Sequence, residues 1–359
     1  MKKICIIFGT RPEIIKLAPL IKILEKKKKK FFLIFSSQHY DRNMSKIFLN
    51  EFKIKKPKYT LKTDKKKNIN FINSTTKKIV NILNIEKPNV VIVQGDTNTS
   101  LSGALAVKTI QSKIKEKIYL AHIEAGLRSY DYRMPEEFNR QVIDHFSDIL
   151  FPPTNIQKKI LLSEGVLPQK IFVVGSTIVD ALKTFKFKKK IFKKKTVVLT
   201  LHRSELLSVR TLMKNIFKML ISLSIKNKLN FEFFCHPGTK KTLKNYKIKL
   251  NNNFKINKPV NYKKFLSYID GADIILSDSG GIQEETCILK KNLITLRFNT
   301  ERPETLNIGA NFLSMKEEEI SKRIKLILKS KPKWMSPYGK NASKKIYNIL
   351  LNEKNTSYS

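Results

Sequence analysis

Short, mostly apolar runs that each break off into a polar loop recur from one end of this chain to the other. Ile4–Phe8, Phe31–Ser36, Asn89–Gln94, Ile118–Ile123 and Ile149–Phe151 read as strands in the first part, and Thr196–Leu201, Phe231–Cys235, Ile274–Leu276 and Leu293–Leu296 repeat the pattern in the second. Helical stripes such as Ile14, Ile15, Leu17, Leu20, Ile21 and Leu24 lie between them. Runs this short and this apolar suit strands covered on both faces, and their alternation with helices predicts mainly parallel sheets in an α/β fold. At 359 residues the chain exceeds what one hydrophobic core usually organises. The expectation is two Rossmann-like domains, residues 1–175 and 176–341. Residues 41–85 read as helix, loop and helix. Ile320–Ile327 and Ala342–Leu351 read as closing helices, with Asn352–Ser359 a frayed tail.

Open parallel sheets bind ligands beyond the carboxyl ends of their strands, and every polar cluster of this chain falls at such an end. The densest follows Ile123: Glu124, Arg128, Asp131, Arg133, Glu136, Glu137 and Arg140 within seventeen residues, running into a helix that opens at Pro135. A plain surface loop would be Gly, Asn, Ser and Lys. Mixed charge of this density reads as carboxylates doing acid–base work beside a bound anion. After the first run comes Gly9-Thr10-Arg11-Pro12-Glu13, where Thr10 and Glu13 have capping-box spacing and Arg11 and Lys16 lie near a helix start. That start is either an anion site or a simple cap with two solvated cations. Asp96 is either an N-cap or a functional carboxylate. Ser279-Gly280-Gly281, between a strand and a helix, has the form of a phosphate cradle. His202 and His236 each follow a strand, as structural rings or as ligands.

The formal charge of +42 suggests nucleic acid at first sight. Of the 71 Lys+Arg, however, only ten are arginine, and the lysines come in runs such as Lys26–Lys30 and Lys193–Lys195. Phosphate recognition favours arginine forks and interleaved aromatics; lysine runs fill solvated positions. No specific nucleic-acid partner is expected. Where the chain keeps Arg, at 11, 128, 133, 140, 203 and 302, bidentate anion binding or a fixed ion pair is the reason to expect. Cys5, Cys235 and Cys287 are too widely spaced for a disulfide framework or a metal site, and read as buried thiols of a cytoplasmic protein. No metal is implied. The chain lacks the GxGxxG dinucleotide fingerprint and a Walker A loop, and no apolar run approaches a membrane span.

Six segments in order carry a resemblance over nearly the whole chain: Gly9–Lys16, Gln94–Thr97, His122–Arg128, Met134–Arg140, Ser277–Glu285 and Thr300–Glu304. They resemble the non-hydrolysing UDP-N-acetylglucosamine 2-epimerases. The resemblance implies a glycosyltransferase-B-like fold with two Rossmann-like domains and a central cleft, the last helix (about 342–359) packing back on the first domain, and a homodimer. It implies reversible conversion of UDP-N-acetylglucosamine to UDP-N-acetylmannosamine through UDP elimination, a 2-acetamidoglucal intermediate and re-addition, with no redox cofactor. Asp96, Glu124 and Glu136 match the family's catalytic carboxylates, and His202 the histidine beside the diphosphate. Arg11, Lys16, Ser279, Gly280, Gly281, Glu285 and Arg302 match nucleotide-sugar contacts, with Phe265 beside the uracil. Leu206 stands where the family commonly has Asn, and Val260 where some members carry a polar residue. Gln38, His39 and His236 match an effector region, although Tyr40-Asp41 departs from its usual continuation. Sister epimerases of 6-deoxy or 2,3-diacetamido uronic acid sugars, a hydrolysing epimerase and a glycosyltransferase of the same fold are the neighbouring readings.

Overall fold

The apolar runs become parallel strands in the computed structural model, which describes residues 2–38, 49–63, 68–112, 118–258 and 260–351. The first sheet contains β1 (Ile4–Phe8), β2 (Phe31–Phe35), β3 (Tyr59–Thr60), β4 (Val90–Gln94), β5 (Tyr119–Ile123) and β6 (Ile149–Phe151), in the order β3-β2-β1-β4-β5-β6. The second contains β7 (Thr196–Thr200), β8 (Asn230–Phe234), β9 (Phe254–Asn257), β10 (Ile274–Ser277), β11 (Leu293–Thr295) and β12 (Asn311–Leu313), in the order β12-β11-β10-β7-β8-β9. Every pairing is parallel. Numbered within its own sheet, each order is 3-2-1-4-5-6, the doubly wound arrangement, whose direction reverses between the first and fourth strands.

Two units enclose these sheets: Met1–Thr184 with Tyr338–Ser359, and Phe185–Pro337. The first unit therefore runs past residue 175 to take in the helix Thr177–Lys183. Its attachment is local. Gly175, at φ +95°, sits where a side chain would strike the Tyr338 carbonyl, and Ser176 N–H donates to that carbonyl at 3.0 Å. Asp180 accepts from the amides of Asn341 (3.1 Å) and Ser343 (2.8 Å), so it starts the helix Ala342–Leu351, which packs against Thr177–Lys183 and Arg11–Lys26. Residues 352–359 lie outside the described residues.

Central strands β1, β4, β7 and β10 are buried at every position, as strands covered by helices on both faces must be. The strands that the apolar pattern failed to announce are β3, β9 and β12. Each is at a sheet edge and only partly buried, so its residues (Tyr-Thr, Phe-Lys-Ile-Asn, Asn-Phe-Leu) carry no apolar run. Among the described residues of 41–85 a short strand stands between helical residues 49–51 and the helix Asn68–Glu86; residues 41–48, on which the first expected helix also falls, lie outside the described ones.

The first core gathers Cys5, Ile7, Val91, Val93, Leu101 and Val107 under the helix Asn98–Gln111. That helix comes close because Gly103 faces the strands: a Cβ there would stand 2.8 Å from Val93 and 3.1 Å from Ile7. Among the described residues no helix is long and apolar enough to cross a membrane. Ile7 is fully buried at the centre of this packing. Ile7→Ala should destabilise the fold by about 2–5 kcal/mol, seen as a lower urea midpoint for the loss of far-ultraviolet ellipticity.

Candidate functional site

Loops after β1, β4 and β5 gather the polar residues of the first unit. Glu124, directly after β5, has φ +73°, a left-handed backbone that costs a non-glycine residue about 1–3 kcal/mol. The bend aims its carboxylate, 8% exposed, at Lys16, 7% exposed, and the two form a buried ion pair. Gln94 Nε2 donates to the second carboxylate oxygen. Gly95 lies alongside, a Cβ there being 3.4 Å from Glu124 Oε2.

Asp96 is not the cap of the next helix. Thr97 takes that place, its Oγ1 accepting from Ser100 N–H at 3.1 Å, and Asp96 Oδ2 accepts instead from Arg140 Nε at 2.9 Å. Asn139 Nδ2 donates to the Asp96 carbonyl at 2.8 Å. Arg140 is gripped from its other end by Glu137, which also receives Ser129 N–H (3.0 Å) and Oγ–H (2.6 Å). Glu137 is fully buried and structural, while Glu136, its neighbour on the helix Pro135–Phe146, is only half-buried. Consecutive helix positions point in different directions, which separates two carboxylates that look alike in sequence.

Beneath these loops runs a buried charge network. His122 lies with Nδ1 2.7 Å from Asp144 Oδ1 and Nε2 2.9 Å from the Gly95 carbonyl. Asp144 Oδ2 accepts from Arg128 Nη1 at 2.7 Å and from Gly126 N–H at 3.0 Å, and Arg128 closes on Glu164 with a two-pronged contact at 2.8 and 2.6 Å. Burial by itself would push the Asp144 carboxyl up; His122 and Arg128 hold it below the usual carboxylate range. Arg128 and Arg140 therefore serve as fixed ion pairs, one of the two uses expected of the retained arginines. Arg133 pairs with Asp131 at the surface.

In the second unit the loops after β7 and β10 meet. Ser277 and Thr200 hydroxyls bond at 2.7 Å, and Ser279 N–H donates to Ser277 Oγ at 3.0 Å. Ser279 opens the helix Gly280–Ile288. A side chain at Gly280 would collide with Glu301, whereas a Cβ at Gly281 would meet no protein atom within 4 Å. Glu284, fully buried, pairs with Arg302 Nη2 at 2.9 Å, and Glu285 accepts from Tyr262 Oη at 2.7 Å. Phe265 lies on the same helix as Tyr262 and packs edge-on against Phe234, 5.1 Å between centroids. His202 Nδ1 stands 3.0 Å from Asp278 Oδ1. His236 Nδ1 accepts from Gly238 N–H at 3.2 Å, capping the helix Pro237–Asn245; burial, with His202 nearby, pulls its pKa down. Among the described residues no group of three or more His, Cys, Asp or Glu is placed to hold a metal ion.

A family model described as UDP-N-acetylglucosamine 2-epimerase matches residues 22–351. The chain belongs to the UDP-N-acetylglucosamine 2-epimerase family. It is 45% identical to the UDP-N-acetylglucosamine 2-epimerase of Methanocaldococcus jannaschii, over 97% of this chain and 98% of that one. A crystal structure of the Methanocaldococcus jannaschii UDP-GlcNAc 2-epimerase, in complex with UDP-GlcNAc and UDP, superposes with a TM-score of 0.89 at 42% identity, covering 97% and 99% of the two chains. It is also 33% identical to the UDP-2,3-diacetamido-2,3-dideoxy-D-glucuronate 2-epimerase of Pseudomonas aeruginosa, over 87% and 88%. The fold alone is shared with a spinosyn rhamnosyltransferase, TM-score 0.52 at 10% identity over 92% of each chain.

Within the first unit of this 2-epimerase family member, Glu124 and Asp96 stand at adjoining strand ends, Lys16 reaches Glu124 from the helix that Arg11 opens, and Glu136 lies at the start of another helix. Within the second, His202, Ser279, Gly280 and Gly281 share the β7 and β10 ends, and Glu284 and Arg302 pair close by. Several partners have no role in the sequence reading: Gln94 on Glu124, Asn139 on Asp96 and Asp278 on His202 lie within the motif segments, whereas Tyr262 on Glu285 lies outside them. Leu206 is buried in the second core, where an aliphatic side chain fits, and Val260 is half-buried. Gln38 Oε1 accepts from Thr99 N–H and Oγ–H at 3.0 and 2.7 Å, a structural contact; His39, Tyr40 and Asp41 lie outside the described residues.

Glu13 goes beyond its capping-box part. Oε2 accepts from Gly9 N–H (3.1 Å) and Thr10 N–H (2.7 Å), Oε1 from Thr97 Oγ–H (3.0 Å) and Ser100 Oγ–H (3.2 Å), so one carboxylate joins the β1 loop to the β4 loop. Burial pushes it up from 4.5 to about 7, against the pull of those hydrogen bonds. Between these values the folded chain holds a proton that the unfolded chain releases. The associated stability is complete below 4.5 and is lost as pH rises through about 7. A glutamine can answer the same groups, its oxygen taking the two amides and its nitrogen donating to hydroxyls turned to accept. Glu13→Gln should therefore flatten the decline in urea stability between pH 5 and 8, leaving the variant more stable than the native chain at pH 8.

Proposed function

We propose that this chain interconverts UDP-N-acetylglucosamine and UDP-N-acetylmannosamine by eliminating UDP and adding it back. The sugar C2–H has no neighbouring carbonyl to acidify it, so its loss is coupled to departure of UDP. A base takes the C2 proton, the C1–O bond breaks, and UDP leaves a C1=C2 glycal. The steps then reverse: a proton reaches the other face of C2 and a phosphate oxygen re-forms the bond to C1. Two proton-handling groups are needed, and Glu124 and Glu136 are assigned to them, with Asp96 ordering the pair. The observation that carries this reading is Glu124 itself: a nearly buried carboxylate on a left-handed backbone, with Lys16 on one oxygen and Gln94 on the other. Strain of this kind persists only where the surroundings enforce it, and it gathers at functional sites.

The second-unit residues suit the nucleotide. The N-terminal amides of the helix after Ser279 favour an anion. Gly281 has neither a left-handed backbone nor a close protein neighbour to require glycine, so approach of a diphosphate supplies the reason. Arg302 adds positive charge, Glu285 with Tyr262 suits ribose hydroxyls, and Phe265 suits the uracil face. His202 is assigned to the leaving diphosphate, where a cation stabilises the charge that develops. Similarity to the diacetamido-glucuronate epimerase favours one second reading, the same chemistry on that sugar.

Incubation with UDP-N-acetylglucosamine in deuterated water tests the proposal. Deuterium should appear at C2 of both epimers without stoichiometric release of UDP. No exchange with this substrate but exchange with the uronate would select the second reading, and no exchange with either would overturn both. Glu124→Gln should lower kcat by about 10²-fold or more while UDP affinity, followed by calorimetry, changes only a few-fold.

A further inference from the structure

His202 is assigned above by resemblance, but its neighbour at the end of β10 plays no part in that assignment. Asp278 is fully buried. Its Oδ2 accepts the backbone N–H groups of both His202 and Arg203 at 2.8 Å each, and Arg203 Nε donates back to the Asp278 carbonyl at 2.9 Å. β7 and β10 are adjacent, with Thr200 paired to Ser277, so this one side chain fixes the loop carrying His202 to the loop carrying Ser279. The other oxygen, Oδ1, is buried, accepts no hydrogen bond from any other described residue, and lies 3.0 Å from His202 Nδ1. Burial would push Asp278 up, yet His202 and the two amides hold it below the usual carboxylate range. Charged or titratable groups near the ring include His236, 6.4 Å away between centroids, and Arg203, which contacts Glu205 at 3.4 Å and Glu301 at 3.6 Å.

We propose that Asp278 is a positioning residue that commits His202 Nδ1–H to itself, so that His202 presents a donor at Nε2 only as the imidazolium. This rests on the reading that His202 meets the diphosphate. A neutral imidazole has one N–H. With that proton on Nδ1 against Asp278, Nε2 carries a lone pair, which repels a phosphate oxygen. A second proton turns Nε2 into a donor and adds the charge that the departing UDP calls for. Asp278 thus couples two things that a free histidine leaves separate: the ring donates to the diphosphate only when it is also positive. An asparagine at 278 would uncouple them. Its oxygen accepts the same two amides, its NH2 faces Nδ1 and donates to it, and the neutral ring then carries its proton on Nε2 at every pH.

The test is nitrogen-15 NMR of the His202 ring in the full-length native chain and in Asp278→Asn, with His202→Gln to assign the signals, alongside UDP affinity by calorimetry from pH 5.5 to 9. The native ring, once neutral, should carry its proton on Nδ1, and UDP affinity should fall at least tenfold as the second proton is lost. In Asp278→Asn the neutral proton should move to Nε2, the fall in affinity should shrink to threefold or less, and kcat should drop more than KM rises. A neutral native ring protonated on Nε2 overturns the inference, and this measurement needs no variant to fold. So does an Asp278→Asn chain that folds and keeps the native pH dependence. A native ring protonated on Nδ1 in a chain that binds no UDP leaves the tautomer assignment standing and overturns the functional reading instead.

Discussion

The reversal of strand order between the first and fourth strands of each sheet is the constraint on which the rest depends. Connections leave the first strand on one side and the fourth on the other, so the loops at that point diverge and leave their strand ends uncovered. In the first sheet these are the ends of β1 and β4, with Gly9–Arg11 and Gln94–Asp96; in the second they are the ends of β7 and β10, with His202 and Asp278–Gly281. At these ends Gly280 admits the Glu301 side chain, and Glu13 and Asp278 each bind one strand-end loop to the next, while Glu124 bends to the left-handed region at the neighbouring end of β5.

Buried charge is costly unless it is paired and hydrogen-bonded. The network His122–Asp144–Arg128–Glu164 meets that condition, and its connections explain why it sits under the β4 and β5 loops. It holds Gly95 through His122 and Gly126 through Asp144, the two glycines near Glu124 in the turn. Arg140 acts likewise between Glu137 and Asp96. A hydrophobic core would stabilise the same region without fixing where a carboxylate points, whereas hydrogen bonds with defined donors fix both position and direction.

Much of this was legible in the residues. The central strands appear as apolar runs because both their faces are covered, and the helix Pro135–Phe146 begins at the proline that suits its first turn. The motifs at strand ends carry the family resemblance. The edge strands β3, β9 and β12 were not legible, since a partly exposed strand of two to four residues has no pattern distinct from loop. Residue type alone does not separate neighbouring carboxylates either, although the resemblance singles out Glu136. Glu136 and Glu137 are the same residue type side by side, and only the helix decides which of them is buried against Ser129 and Arg140.

By itself the sequence determined the α/β class, the positions of the turns and the residue types available at each strand end, because those follow from local hydrophobic period and backbone preference. Tertiary structure alone decided which charges meet. Lys16 and Glu124 are 108 residues apart, and Asp278 and His202 76 apart, and no local preference fixes such pairs. They meet because parallel strands place the ends of distant segments in one row, and a hydrogen bond depends on that distance and direction rather than on separation along the chain.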